Sequence, residues 1–201
     1  MTNRPTCTAF VGSRQLAAGP LDTVALAVKR LASRDPTAAA LVFDDETGRV
    51  IDLDLRGSDA DTVQRLERHV VYGSVELRPA APRGPGRPKL GVVAREVTLL
   101  PRHWDWLNAQ RGGASVALRR LVDEARQRTH GRDHVRRAQE AAYRFMSAMA
   151  GDLAGYEEAT RALFAADRAR FTAQTGGWPV DVRRFAAKLA DAAFAAPEAS
   201  R

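Results

Sequence analysis

The stretch Arg111-Gly112-Gly113-Ala114-Ser115-Val116-Ala117-Leu118-Arg119-Arg120 holds the residue types best suited to gripping a charged ligand. Glycines ahead of a helix let a ligand approach the backbone closely. The first amides of a helix favour an anion such as a phosphate. Ser115 reads as the cap of that helix, and Arg111, Arg119 and Arg120 bring cations to the same end. Other groupings carry less chemistry. His130 and His134 have metal-like spacing, but Cys7 is far away and Asp133 is the nearest carboxylate, so a closed site lacks ligands. The acidic run Asp44-Asp45-Glu46 lacks the loop of oxygen ligands that calcium needs and reads as a solvated turn. A phosphate-binding glycine loop, a nucleophile elbow and a Cys/His nucleophile arrangement are all missing from the sequence. The expectation is a protein that is not an enzyme and has no cofactor and no metal.

Charge points the same way as the arginines. Residues 83–137 carry thirteen Arg and Lys against five Asp and Glu, a balance of +8 in a chain whose net charge is +7. The flanking segments balance to −1 and 0. A basic excess confined to one segment suits a polyanionic partner, because it raises affinity for phosphates without sequence readout.

Length and composition set the outer limits. A chain of 201 residues, 45% hydrophobic and 27% charged, fits an ordinary globular protein of one domain with appendages or two small ones. It has no apolar run of membrane-spanning length and no signal-peptide pattern after Met1. The single Cys7 cannot form an internal disulfide. These features predict a cytoplasmic protein without a membrane partner.

The elements that must position the arginines follow from spacing. Residues 1–78 read as a small αβ module. Its parts are a strand at Thr8-Ala9-Phe10-Val11, a helix through Leu21, Val24, Ala25, Val28 and Leu31, and a β-hairpin. The hairpin joins Ala40–Phe43 to Arg49–Leu55 across Asp44–Gly48, with Ile51, Leu53 and Leu55 sharing one face. A second helix follows Ser58 as its cap, over roughly Asp59 to His69. Residues 79–91 hold four Pro and three Gly and read as an extended linker. Residues 92–132 predict a strand, a helix started by Pro101, a turn at Gly112-Gly113 and a second helix with Leu118, Leu121, Val122 and Ala125 as its stripe. Trp104 and Leu107 share a face of the first helix. Trp106, two positions from Trp104, must face elsewhere. Residues 133–201 read as helical, with breaks at Gly151, near Gly155 and at Gly176-Gly177-Trp178-Pro179. The fold class is α+β.

Residues 93–128 resemble the ribbon-helix-helix DNA-binding fold. The resemblance rests on Arg95-Glu96-Val97-Thr98-Leu99-Leu100-Pro101, Trp104 to Leu107, and Arg111-Gly112-Gly113-Ala114-Ser115 leading into Arg119-Arg120. It implies a homodimer in which two copies of the strand pair and enter the major groove of double-stranded DNA. The amino end of the second helix would then hold a phosphate. Burying Val97 and Leu99 turns Glu96 and Thr98 toward the groove, a register without cations among its base-facing residues. The segment Arg83-Gly84-Pro85-Gly86-Arg87-Pro88-Lys89 is similar to an AT-hook, with Pro85 where that motif carries Arg. Read as a linker instead, it still offers Arg83, Arg87 and Lys89 to phosphates. The whole chain is similar to an uncharacterised bacterial family known as a domain of unknown function. The similarity rests on Leu41-Val42-Phe43-Asp44-Asp45, Gly86-Arg87-Pro88-Lys89-Leu90 and the segment from Glu96 to Pro101.

The expectation is therefore a DNA-binding protein, a bacterial transcriptional regulator acting as a homodimer. Its contacts would be Glu96, Thr98, Arg111, Gly112, Gly113, Ser115, Arg119 and Arg120, with Arg87 and Lys89 from the linker. The alternative is a non-catalytic interaction or scaffold protein whose Arg-rich face is merely solvated.

Overall fold

The computed structural model describes residues 6–73 and 95–195. The linker expected at 79–91 lies outside the described residues, as does Val93. The described residues form two compact units. One is built from the N-terminal part up to residue 73 together with residues 131–195, and the other from residues 95–130.

The first unit is a three-stranded antiparallel sheet of order β2-β1-β3, formed by β1 (Thr6–Val11), β2 (Arg14–Pro20) and β3 (Ala40–Asp44). The central strand β1 is buried on both faces, so Cys7, Thr8, Ala9 and Phe10 are buried in succession, with the hydroxyl of Thr8 satisfied by Asp45. Cys7 and Ala9 point to one side with Val42, against Val24 and Val28 of α1 (Leu21–Arg34). Burial pushes the Cys7 thiol up to about 12, with Asp45, Asp44 and Asp22 adding to the effect. The thiol is therefore a small core group rather than a nucleophile.

Phe10 and Phe43 point to the other side and meet Phe145 of α4 (Gly113–Met149) and Phe185 of α7 (Val180–Ala190). Ring centroids lie 5.4 Å apart for Phe10–Phe145, 4.9 Å for Phe43–Phe145 and 4.7 Å for Phe145–Phe185. Aromatic pairs at these separations stabilise beyond their area burial, by about 0.5–1.5 kcal/mol each. The N-terminal strands and the C-terminal helices thus share one core.

Two strand expectations change in this unit. Arg14–Pro20 is a strand although its residues do not alternate apolar with polar. A two-residue turn, with Gly12 at φ 55°, folds it back on β1 as an exposed edge. The second strand of the expected hairpin pairs only briefly, through Asp44 N to Arg49 O (2.9 Å) and Ile51 N to Val42 O (2.7 Å). Its alternation nonetheless marked the correct face, since Ile51, Leu53 and Leu55 pack half-buried on the α1 side. Outside it, Arg56 and Arg65 hold the Asp54 carboxyl well below the usual carboxylate range, chiefly through the paired hydrogen bonds from Arg56.

Ser58 caps α2 (Asp59–Gly73) as expected. Its Oγ accepts from Asp61 N (3.1 Å), and Asp61 Oδ2 accepts in return from Ser58 N (2.9 Å).

The helices expected from Ser115 and from residue 133 are one helix, α4. Gly131 lies within it, because a single helical glycine costs only about 1 kcal/mol relative to Ala. After Met149 come α5 (Tyr156–Phe164), α6 (Arg168–Thr175), α7 and a 3₁₀ turn (Asp191–Phe194). The break between α5 and α6 has no Gly or Pro to announce it. There Ala166 takes φ 55° while Asp167 N donates to Ala162 O (2.9 Å) and Ala166 N to Leu163 O (3.2 Å), the bond pair of a Schellman stop. Left-handed backbone costs a non-glycine residue about 1–2 kcal/mol. Ala166→Gly should therefore raise stability by roughly 1 kcal/mol, read as a higher urea midpoint at unchanged slope. A lower midpoint would mean that the Ala166 methyl contributes more than its backbone strain costs. Among the described residues, no helix is long and apolar enough to cross a membrane.

Candidate nucleic-acid interface

The expected strand enters the described residues at Arg95. Residues 95–100 form no helix and pair with no other strand among the described residues. Arg95, Glu96, Val97, Thr98 and Leu100 are exposed, and Leu99 is half-buried. Val97 is 54% exposed, so the face expected to be buried, Val97 and Leu99, is not covered within one chain.

Leu100 keeps extended backbone (φ −67°, ψ 150°) and hands the chain to α3 (Pro101–Asn108). Its carbonyl accepts from His103 N (2.8 Å) and Trp104 N (3.3 Å), and Pro101 occupies the first turn, where it gives up no helical hydrogen bond. Leu107 is buried and Trp104 half-buried, while Trp106 is 50% exposed. That is the split expected of Trp104 and Trp106, two positions apart on a helix.

The turn into α4 is made by two glycines with different jobs. Gly112 has φ 88°, and an added Cβ would sit 3.1 Å from Val116 Cβ, so this position needs both the conformation and the space. Gly113 has φ 74° with nothing within 4 Å of an added Cβ, so its Cα faces open space. The contact between Gly112 and Val116 was not anticipated from the sequence, although a spacing of four across a helix start is a signal for it.

Ser115 does not cap α4. The left-handed glycines reverse the chain early, the helix begins at Gly113, and Ser115 falls inside its first turn. There its carbonyl accepts from Arg119 Nε (3.1 Å) and its Oγ from Arg119 Nη2 (3.3 Å). Arg120 pairs loosely with Glu124 at 3.7 Å, an exposed bond of little strength. Arg111, Arg119 and Arg120 are all exposed around the amino end of α4. Arg87 and Lys89 lie outside the described residues.

The stripe expected on this helix is only partly covered, with Leu118 and Leu121 half-buried and Val122 and Ala125 exposed, while Ala117, outside that stripe, is buried. The acidic run Asp44-Asp45-Glu46 lies in the turn after β3. Asp44 Oδ1 accepts from Thr47 N (2.6 Å) and Thr47 Oγ1 (2.7 Å), folding its own turn. Among the described residues, no three of His, Cys, Asp and Glu gather where they could hold a metal ion.

Geometrically, then, the segment offers a half-covered apolar stretch at 95–100 and a half-covered helix face, with an open helix start at Gly113 and exposed arginines at 111, 119 and 120. A family model described as "Uncharacterized protein conserved in bacteria (DUF2239)" matches residues 6–190. No curated protein and no solved structure matches the chain.

Proposed function

The chain belongs to the bacterial family DUF2239, and from its own residues we propose that it is a DNA-binding protein acting as a homodimer, a transcriptional regulator. The observation that carries this reading is the amino end of α4. Gly113 faces open space there, beside exposed Arg111, Arg119 and Arg120. A phosphate placed at this point meets helix amides, a favourable helix dipole and cationic donors together.

The uncovered Val97 supports the dimer half of the reading. Pairing residues 95–100 with their counterparts in a second copy would satisfy their backbone groups and cover Val97 and Leu99. The resulting two-stranded ribbon has the width of a major-groove reader. Its outward Glu96 and Thr98 give it little charge, so the affinity in this reading comes from the phosphate contacts and from Arg87 and Lys89. Nothing here requires catalysis or a cofactor.

A second reading rests on Trp106. This exposed Trp, with Val116 and Val122 also exposed on α4, suits a protein partner. In that case the arginines are a solvated face and the protein is a non-catalytic scaffold.

Light scattering and a gel shift separate the two. The DNA-binding reading expects a mass twice 21.9 kDa, and a retarded duplex at about 50 mM salt that is lost by about 200 mM. A strictly monomeric mass removes the ribbon. A dimer that leaves DNA unretarded at the lower salt moves the assignment to the interaction protein.

A further inference from the structure

Within the unit that holds the sheet, three elements converge on a cleft of about 260 Å3. The Asp44–Gly48 turn forms one wall, α4 from His134 to Arg144 another, and the end of α7 with the following 3₁₀ turn the third. The floor is apolar, made by Ala138 and Leu189, both buried, and Ala192.

Charge lines the walls, and most of it is already matched. Lys188 Nζ donates to Asp45 Oδ2 at 2.8 Å, and Arg144 Nη2 to Glu140 Oε2 at 3.0 Å. The Asp45 side chain is only 10% exposed, and its second oxygen accepts from Thr8 Oγ1 at 2.7 Å, so it is fully engaged. Arg137 differs. Its Nε donates to the Asp133 carbonyl of its own helix (3.3 Å), and among the described residues no ion pair engages it. The two terminal nitrogens of its guanidinium are therefore available to the cleft. Lys188 also keeps donors, since an ammonium has three and Asp45 takes one.

We propose that this cleft binds a small organic anion, its carboxylate or phosphate head held by Arg137 with help from Lys188 and its short apolar body lying on Ala138, Leu189 and Ala192. The planar fork of arginine matches two oxygens of either head group. The volume is below the usual range for drug-sized ligands, which limits the body to a few carbons. Glu46, exposed on the turn that forms one wall, opposes an anion and weakens the site rather than building it. None of these residues belongs to the segment 95–130, so the proposal stands apart from the DNA reading.

The test is a nitrogen-15 NMR titration of the full chain with acetate, butyrate and inorganic phosphate at constant ionic strength. Saturable shifts are expected at amides of residues 137–144 and 188–192, with butyrate several-fold tighter than acetate. A tighter response to phosphate than to acetate assigns the head group as phosphate, and the reverse assigns carboxylate. Arg137→Gln, which touches only its own helix, should weaken binding about tenfold or more. Glu46→Gln should tighten it about two- to fivefold. No saturation by any of the three anions up to about 50 mM, a site too weak to be specific, overturns the proposal. So does unchanged affinity in Arg137→Gln, or equal affinity for acetate and butyrate. Shifts centred on residues 111–120 also overturn it, while leaving the DNA reading in place.

Discussion

On the proposed DNA-binding reading, changing Arg111, Arg119 and Arg120 together to Ala is expected to weaken binding to every duplex alike, by on the order of a hundredfold at moderate salt. The three side chains are exposed near the start of α4, and the proposed homodimer would lose them from both copies at once. Phosphate contacts carry no sequence information, so related and unrelated duplexes should lose affinity together. The slope of log affinity against log salt should fall by about one unit for each phosphate contact removed. None of the three makes a contact that the fold depends on. Arg119 bonds back to Ser115 and Arg120 pairs with Glu124, both within α4. Circular dichroism and the dimer mass should therefore be unchanged. Retained affinity with an unchanged salt slope would place the DNA contact elsewhere. A monomeric variant that has lost affinity would instead trace the loss to assembly.

The largest expected stability effect is at Gly48→Ala. Gly48 closes the turn after β3 at φ 64°, with its Cα against α4. An added Cβ would lie 2.1 Å from the Ala141 carbonyl oxygen and 2.8 Å from its carbon. Neither neighbour is a side chain that can swing away. Ala141 is buried one turn before Phe145, so displacing that carbonyl disturbs the aromatic core. Left-handed backbone and overpacking together should cost about 2–5 kcal/mol, a large part of the roughly 5–15 kcal/mol that holds a domain together.

Gly12→Ala is the matched control. Its φ is 55°, with nothing within 4 Å of an added Cβ, so only the conformational part, about 1–2 kcal/mol, applies. Urea unfolding of the two variants separates packing from backbone strain. Equal losses at the two positions would show that the turn is not seated against α4 in solution. Arg144 Nη1 also ties it to α4 by donating to the Thr47 carbonyl (3.0 Å), while Lys188 Nζ ties Asp45 to α7.

These two sites differ in how far the sequence revealed them. The start of α3 and the chain reversal before α4 were legible because their cues are local. Pro101 at a helix start and glycines at a chain reversal act through their own backbone preferences, and those do not depend on distant residues. The same locality made α1, the Ser58 cap and the inward face of Ile51, Leu53 and Leu55 readable. Ser115 was misread because two left-handed glycines, which no periodicity reports, had already turned the chain.

Only the tertiary structure decided the rest. Arg14–Pro20 has no strand pattern of its own and is held extended by hydrogen bonds to β1. Ala166 ends a helix in a conformation that no local preference predicts. Phe10 and Phe145, far apart in the chain, form one core because β1 needed cover on both faces. That packing also brings the Asp44–Gly48 turn, Arg137 and Lys188 around one cleft. By itself the sequence determined most helices and their starts and the confinement of basic charge to one segment, since those follow from neighbouring residues. Which surfaces meet depends on apolar area that can be covered only by residues distant in the chain, and folding alone brings those together.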